Sequence, residues 1–220
     1  MQKLVEKIAL KLGVSPEGFK RYFANTSWLF VEKIIRLVIG FFVGVWVARY
    51  LGPSRFGLLS YARSFVALFS IFTTLGLEEI VVRELVRHEE KRYVLLGTSL
   101  FLKLLGASLM LGIIAFVVEI FSEDTLSKML IFIIAFSALF RSFEVIRFYF
   151  QAKVQGKYIS LAGIISLILS SAFKIYLIYT KAALIWFAVA AVVDTVTLMF
   201  AYFFFTYIHQ VFLAGGLLKM

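Results

Sequence analysis

Residues 139–152 read LFRSFEVIRFYFQA, and four of them carry chemistry that hydrocarbon does not tolerate: Arg141, Glu144, Arg147 and Gln151. On a continuous helix at 100° per residue, Ser137, Arg141, Glu144, Arg147 and Gln151 fall within an arc of about 120°, shared with Phe140 and Phe148. A charged side chain near the centre of a bilayer costs about 2.5–3.5 kcal/mol, so such residues face protein or water. Two readings follow. Glu144, one turn from both arginines, can link them in a salt-bridge ladder that holds helices together. Alternatively the stripe lines a polar cavity, and arginine there suits phosphate, because its planar fork binds two oxygens at once.

Other apolar stretches carry similar residues. Asn25, Glu32 and Arg36 lie within about 40° of one another on a helix, and Glu32 to Arg36 has the favourable (i, i+4) order. That pair either stabilises the start of its helix or joins the polar wall. Lys103 and Lys174 have stems long enough to reach an interface. Asp194 is too short to do so at about twelve residues from either end of its segment; a carboxylate there protonates or pairs. Arg36, Lys103, Arg141, Arg147 and Lys174 outnumber Glu32, Glu144 and Asp194, so a space they share is cationic and prefers an anion. The candidate phosphate-binding residues are Arg36, Arg141, Arg147 and Gln151. Glu144 and Asp194 are the candidates for ion or proton coupling.

The elements that hold these residues follow from composition. The chain of 220 residues is 62% hydrophobic and only 16% charged, with 25 phenylalanines. A soluble domain is about half apolar and about a quarter charged. Six apolar segments are long enough to span hydrocarbon as helices: 27–50, 57–78, 94–120, 127–150, 158–180 and 183–208. The expected fold is therefore an all-α integral membrane protein with six transmembrane helices over 25–210. Residues 1–24 are expected to form an amphipathic interfacial segment, with Leu4, Val5, Ile8 and Leu12 on one face and Lys3, Lys7 and Lys11 on another. No apolar run followed by a small-residue cleavage site marks a signal peptide there. Residues 78–92 read as a solvated helical extension of the second span, with a partner-docking helix as the alternative.

Charge placement sets orientation. With the N-terminus inside, the cytoplasmic connections hold Lys3, Lys7, Lys11, Lys20, Arg21, Arg83, Arg87, Lys91, Arg92, Lys153, Lys157 and Lys219, and the opposite side only Arg49, Arg55, Lys128 and Lys181. Both termini, including a tail at 211–220, are expected in the cytoplasm of a multi-pass protein of the cell (plasma or inner) membrane. Topology accounts for the net charge of +10, so nucleic acid is not expected as a partner. With no cysteine and only His88 and His209, no metal site is expected. No nucleophile–base arrangement or phosphate loop points to an enzyme, and no cofactor is expected.

The segment VWVARYLGPSRFGLLSYARSFVALFSIFTTLGLEEIVVREL, residues 45–85, resembles the N-terminal signature of the polysaccharide (O-antigen, Wzx-like) flippases. Ala48, Arg49, Leu51, Gly52, Pro53, Phe56 and Gly57 match the pattern. FYFQAKVQGKYIS, residues 148–160, is similar to the family's Phe-x-Gln-Ala segment. Physically, Gly52-Pro53 breaks and turns the helix, and Gly57 is expected to restart it in close packing. The resemblance covers 25–210 and implies a member of the multidrug/oligosaccharidyl-lipid/polysaccharide exporter superfamily. It implies two six-helix bundles around a cationic cavity, with this sequence as the N-terminal half. The implied activity is flipping of lipid-linked oligosaccharide or polysaccharide precursors by alternating access. The implied partners are the lipid-linked glycan, the lipid bilayer and a second bundle, from a homodimer or a separate polypeptide. A multidrug-type exporter or a truncated, non-transporting membrane subunit are the alternatives, and the cationic excess weighs against the first.

Overall fold

The computed structural model describes residues 16–74, 76–121 and 124–217. Most of the expected interfacial segment 1–24, Ser122 and Glu123 of the expected outer loop, and the end of the 211–220 tail lie outside the described residues. The elements are α1 (Pro16–Phe69), α2 (Ile71–Thr74), α3 (Leu77–Arg87), α4 (Arg92–Phe121), α5 (Thr125–Arg141), α6 (Val145–Ala152), α7 (Gly156–Tyr179) and α8 (Leu184–Leu217). Two 3₁₀ turns, Glu89–Lys91 and Ser142–Glu144, precede α4 and α6. Among the described residues every regular element is helical. Five helical stretches are long and apolar enough to cross a membrane: Tyr22–Phe69, Glu89–Ile120, Thr125–Ala152, Gly156–Tyr179 and Leu184–Ile208. This is a helical membrane protein.

The first stretch is not one rod. At 1.5 Å per residue, α1 would reach about 80 Å, more than twice the hydrocarbon thickness. It breaks at Gly52, whose φ of 72° and ψ of 170° belong to a region that side chains with a Cβ do not enter. Pro53 follows and has no amide to continue the ladder. The arms on either side, 16–51 and 53–69, contribute to one core: Val43, Val47 and Leu51 from the first, Leu59, Ala62 and Val66 from the second. The expected break at Gly52-Pro53 is present. The close packing expected at Gly57 is not, because Gly57 is exposed and a Cβ there meets nothing within 4 Å.

The first arm docks on α7 through small residues and polar bonds. The Asn25 side chain accepts the Gly156 amide, capping the start of α7 from a neighbouring helix. Arg36 Nε donates to Glu32 Oε1 at 2.7 Å, and Arg36 Nη2 donates to the Gly163 carbonyl at 3.3 Å. A Cβ at Gly163 would lie 2.9 Å from Glu32 Oε1 and 3.1 Å from Arg36 Nη2, so a larger residue there would displace the ends of this pair. On the same helix Ser160, Ser166, Ser170 and Ser171 are buried. Tyr50 closes the far end, donating its hydroxyl to the Ala182 carbonyl at 3.1 Å.

Two helices depart from expectation. The expected span 57–78 ends as a helix at Phe69; the short α2 follows, then Gly76 at φ 62°, then α3. Residues 78–92 are therefore not a solvated extension of the second span. Val81 and Leu85 of α3 are buried against Val145 and Phe148. The fourth segment is also interrupted. Its Ser142–Glu144 turn contains neither glycine nor proline, but Ser142 Oγ donates back to the Ala138 carbonyl at 3.3 Å. Such back-bonding bends helices, and a 3₁₀ stretch inside a helix marks a joint. The arc computed for 137–151 therefore holds only as far as Arg141.

Candidate functional site

The joint sends the two arginines of the stripe to different places. Arg141, at the end of α5, reaches a cavity of about 400 Å³. Arg63 from the second arm of α1, Ser137 from α5, Lys174 from α7 and Asp194 from α8 line the same cavity. Three cations thus face one carboxylate. Ser137 is buried, Lys174 and Asp194 are half-buried, and Arg63 and Arg141 remain exposed within this chain. Arg63 and Lys174 also line an adjoining recess of about 170 Å³, whose far wall carries Gly40, Gly44 and Phe56.

Asp194 is held from behind. Ser166 Oγ lies 2.8 Å from the Asp194 carbonyl and 3.2 Å from its Oδ1, with Thr197 Oγ1 at 3.0 Å. The carboxylate is oriented by α7 and fronts Arg63 and Lys174 across the cavity. An anion entering this space meets two guanidinium forks and an ammonium, the donor set for phosphate oxygens.

The other candidate residues lie elsewhere. Arg36 is engaged with Glu32 and Gly163 in the α1–α7 contact. Arg147 forms an ion pair with Glu78 of α3, so the ladder through Glu144 is not the pairing observed. Glu144 is half-buried at the end of the 3₁₀ turn, and Gln151 is exposed in the last turn of α6. Lys103 is buried, and its ammonium lies 5.1 Å from the Phe148 ring centroid. The sequence reading passed over Arg63. Its signal was of the same kind as the others, a cation two turns inside the apolar segment 57–78. Among the described residues, no three His, Asp or Glu side chains converge on a point where a metal could be held.

The family model described as polysaccharide biosynthesis protein matches residues 22–217. The chain belongs to the polysaccharide biosynthesis protein family. This is the family of Wzx-like polysaccharide and O-antigen flippases, the one that residues 45–85 and 148–160 resemble. It contains flippases and transporters rather than enzymes. Comparison with curated proteins found no match, and comparison with solved structures found none either. The residues that carry the resemblance frame the α1 break: Leu51 is buried in the core, Phe56 packs against it, and Arg49 is exposed. In the second matched segment Phe150 is fully buried, with its ring centroid 5.5 Å from that of Tyr158.

Proposed function

We propose that this membrane protein translocates lipid-linked oligosaccharide or polysaccharide precursors across the cell membrane by alternating access. The observation that carries this is the cationic cavity, where Arg63, Arg141 and Lys174 face Asp194 in a chain of the flippase family. The cavity would take the phosphates of the lipid carrier, with Asp194 as the competing anion or the coupling group. Arg36 and Arg147, engaged with Glu32 and Glu78, position helices rather than cargo.

In this reading the two arms of α1 cross separately, giving six spans with both termini in the cytoplasm. Exposed guanidiniums in the span region argue for water or protein over the open side, at about 2.5–3.5 kcal/mol per charge left in lipid. A second bundle, from another copy or another polypeptide, supplies that cover. The test is transport in proteoliposomes, comparing a pyrophosphate-linked oligosaccharide lipid with a cationic dye. Movement of the lipid and not the dye supports the proposal; movement of the dye alone refutes it.

A further inference from the structure

Residues 142–144 are Ser, Phe and Glu, which nothing local keeps out of an α-helix, and yet they wind as a 3₁₀ turn. A conflict between local propensity and the fold marks a strained or functional place. The turn also leaves charges unanswered. Lys103 is buried with its ammonium 5.1 Å from the Phe148 ring centroid. Of the surrounding charges Glu144 acts on it most strongly, ahead of Arg147, Glu78 and Arg141. Among the described residues, however, neither Lys103 nor Glu144 makes an ion pair or a side-chain hydrogen bond, and the buried Arg147 Nε has no hydrogen-bond partner. A buried charge left without a bonded counter-ion is costly.

The helices beyond the turn form one unit. α3 and α6 share the cluster of Val81, Leu85, Val145 and Phe148, and Arg147 pairs with Glu78 across them. The chain enters α3 after Gly76 at φ 62° and leaves α6 through Val154 at φ 55°, a conformation that β-branched residues rarely adopt. Beside the turn, an apolar opening of about 180 Å³ lies among Phe143, Val145, Leu96, Leu100 and Phe203. It leaves the side chains of the turn room to repack.

We propose that residues 142–144 are a two-state joint. Wound as 3₁₀ they hold Glu144 and Lys103 apart; relaxed to α they bring the two into an ion pair and turn the α3–α6 unit against α8. At about 120° per residue in a 3₁₀ turn and about 100° in an α-helix, three residues account for about 60° of rotation between α5 and α6. α3, at a helix-packing distance of about 9 Å from α6 and tied to it, then moves by up to about 9 Å. Ser142 Oγ, bonded to the Ala138 carbonyl, favours the bent state. Arg141 directly precedes the turn, so the joint is continuous with a residue of the cationic cavity. The inference concerns helix motion alone and stands without the transport proposal.

Distances between paired spin labels, measured by double electron–electron resonance on the full chain in nanodiscs, test this. The chain has no cysteine, so nitroxides attach only where cysteine is introduced. Ile80→Cys on α3 with Phe204→Cys on α8 reports the unit, both sites being exposed. Leu169→Cys with Phe200→Cys, also exposed, reports the packing of α7 on α8. The expected result is two distances for the first pair, separated by several and up to about 9 Å, and one distance for the second. Ser142→Ala, which removes the back-bond and favours the α form, should raise the second population about two- to threefold. Lys103→Met should lower it about tenfold, the worth of a charge-assisted bond, and Lys103→Arg should keep it. Glu144→Gln serves if Lys103→Met is not monodisperse. A first-pair distribution that Ser142→Ala leaves unchanged overturns the proposal, as does a second distance that ignores loss of the Lys103 and Glu144 charges. Equal broadening of both label pairs, the mark of a loosened bundle, overturns it too.

Discussion

The Arg147 guanidinium donates to the Glu78 carboxylate, and this pair ties α6 to α3 across 69 positions of sequence. The same two helices share the apolar cluster of Val81, Leu85, Val145 and Phe148. The pair is partly exposed, at 34% for Arg147 and 41% for Glu78, so its value lies between that of a surface pair and a buried one. Arg147→Ala or Glu78→Ala should cost about 1–3 kcal/mol. Replacing both, Arg147→Met with Glu78→Leu, should recover most of the loss because no unpaired charge is left. Thermal unfolding in detergent checks this, read beside transport per folded molecule. Stability unchanged in both single variants, with transport abolished, would return Arg147 to the cargo site.

Gly52 predicts a second stability effect. Its φ of 72° with ψ of 170° is essentially closed to other residues. Gly52→Ala should destabilise the protein by about 1–3 kcal/mol although a Cβ there meets no atom within 4 Å. The cost is conformational and not steric. Gly57→Ala, in open space and helical, should be neutral in the same unfolding assay; equal losses at both positions would contradict the assignment of strain to Gly52.

A pH dependence follows from the cap of α5. The Asp124 carboxylate accepts from Ser127 Oγ at 2.7 Å and from the Ser127 and Leu126 amides at 3.1 and 3.3 Å. The Ser127 hydroxyl first, then the two amides, hold this carboxyl below its ordinary range. A depressed folded pKa contributes stability that is present above the ordinary carboxylate range and lost as pH falls through the folded value. Asp124→Ala should therefore lower the Tm at neutral pH, with the gap from the parent closing under acid conditions. A gap that stays constant into acid would remove the cap from the account.

The topology is testable without structure. Cysteines introduced singly at Ser15 and Ser122 should label from opposite sides of the membrane with an impermeant maleimide. Labelling of both from one side rules out the proposed orientation.

Much of the framework was legible in the residues. The helical membrane class follows from long apolar runs, and the break at Gly52-Pro53 follows from the two residue types least suited to a helix interior. Ser137, Arg141 and Asp194 were singled out by charge or arc, and all three line the cavity. The 3₁₀ joint at Ser142–Glu144 was not legible, because nothing there breaks a helix locally. Its partners, Glu78 and the α3 cluster, are distant in sequence. A wheel drawn through such a joint groups Arg147 and Gln151 with Arg141, and neither of the two lines the cavity that Arg141 reaches. Arg63 was missed differently. It sits two turns inside its apolar segment, outside the 137–151 stripe, and only the fold brings it to Lys174 and Asp194.

The central claim is that Arg63 and Arg141, and not Arg147, hold the cargo phosphates. The direct measurement is the rate of flipping of a pyrophosphate-linked lipid in proteoliposomes, per folded molecule, in an assembly with demonstrated activity. Each of Arg63→Ala and Arg141→Ala removes charge-assisted bonds worth about 1.5–3 kcal/mol, so the rate should fall about 10- to 100-fold with the Tm little changed. Lysine at either position should restore part of the rate, because it keeps the charge and loses the fork. Arg147→Ala should lower the Tm with transport per folded molecule near the parent's. Wild-type flipping in both Arg63→Ala and Arg141→Ala would contradict the account.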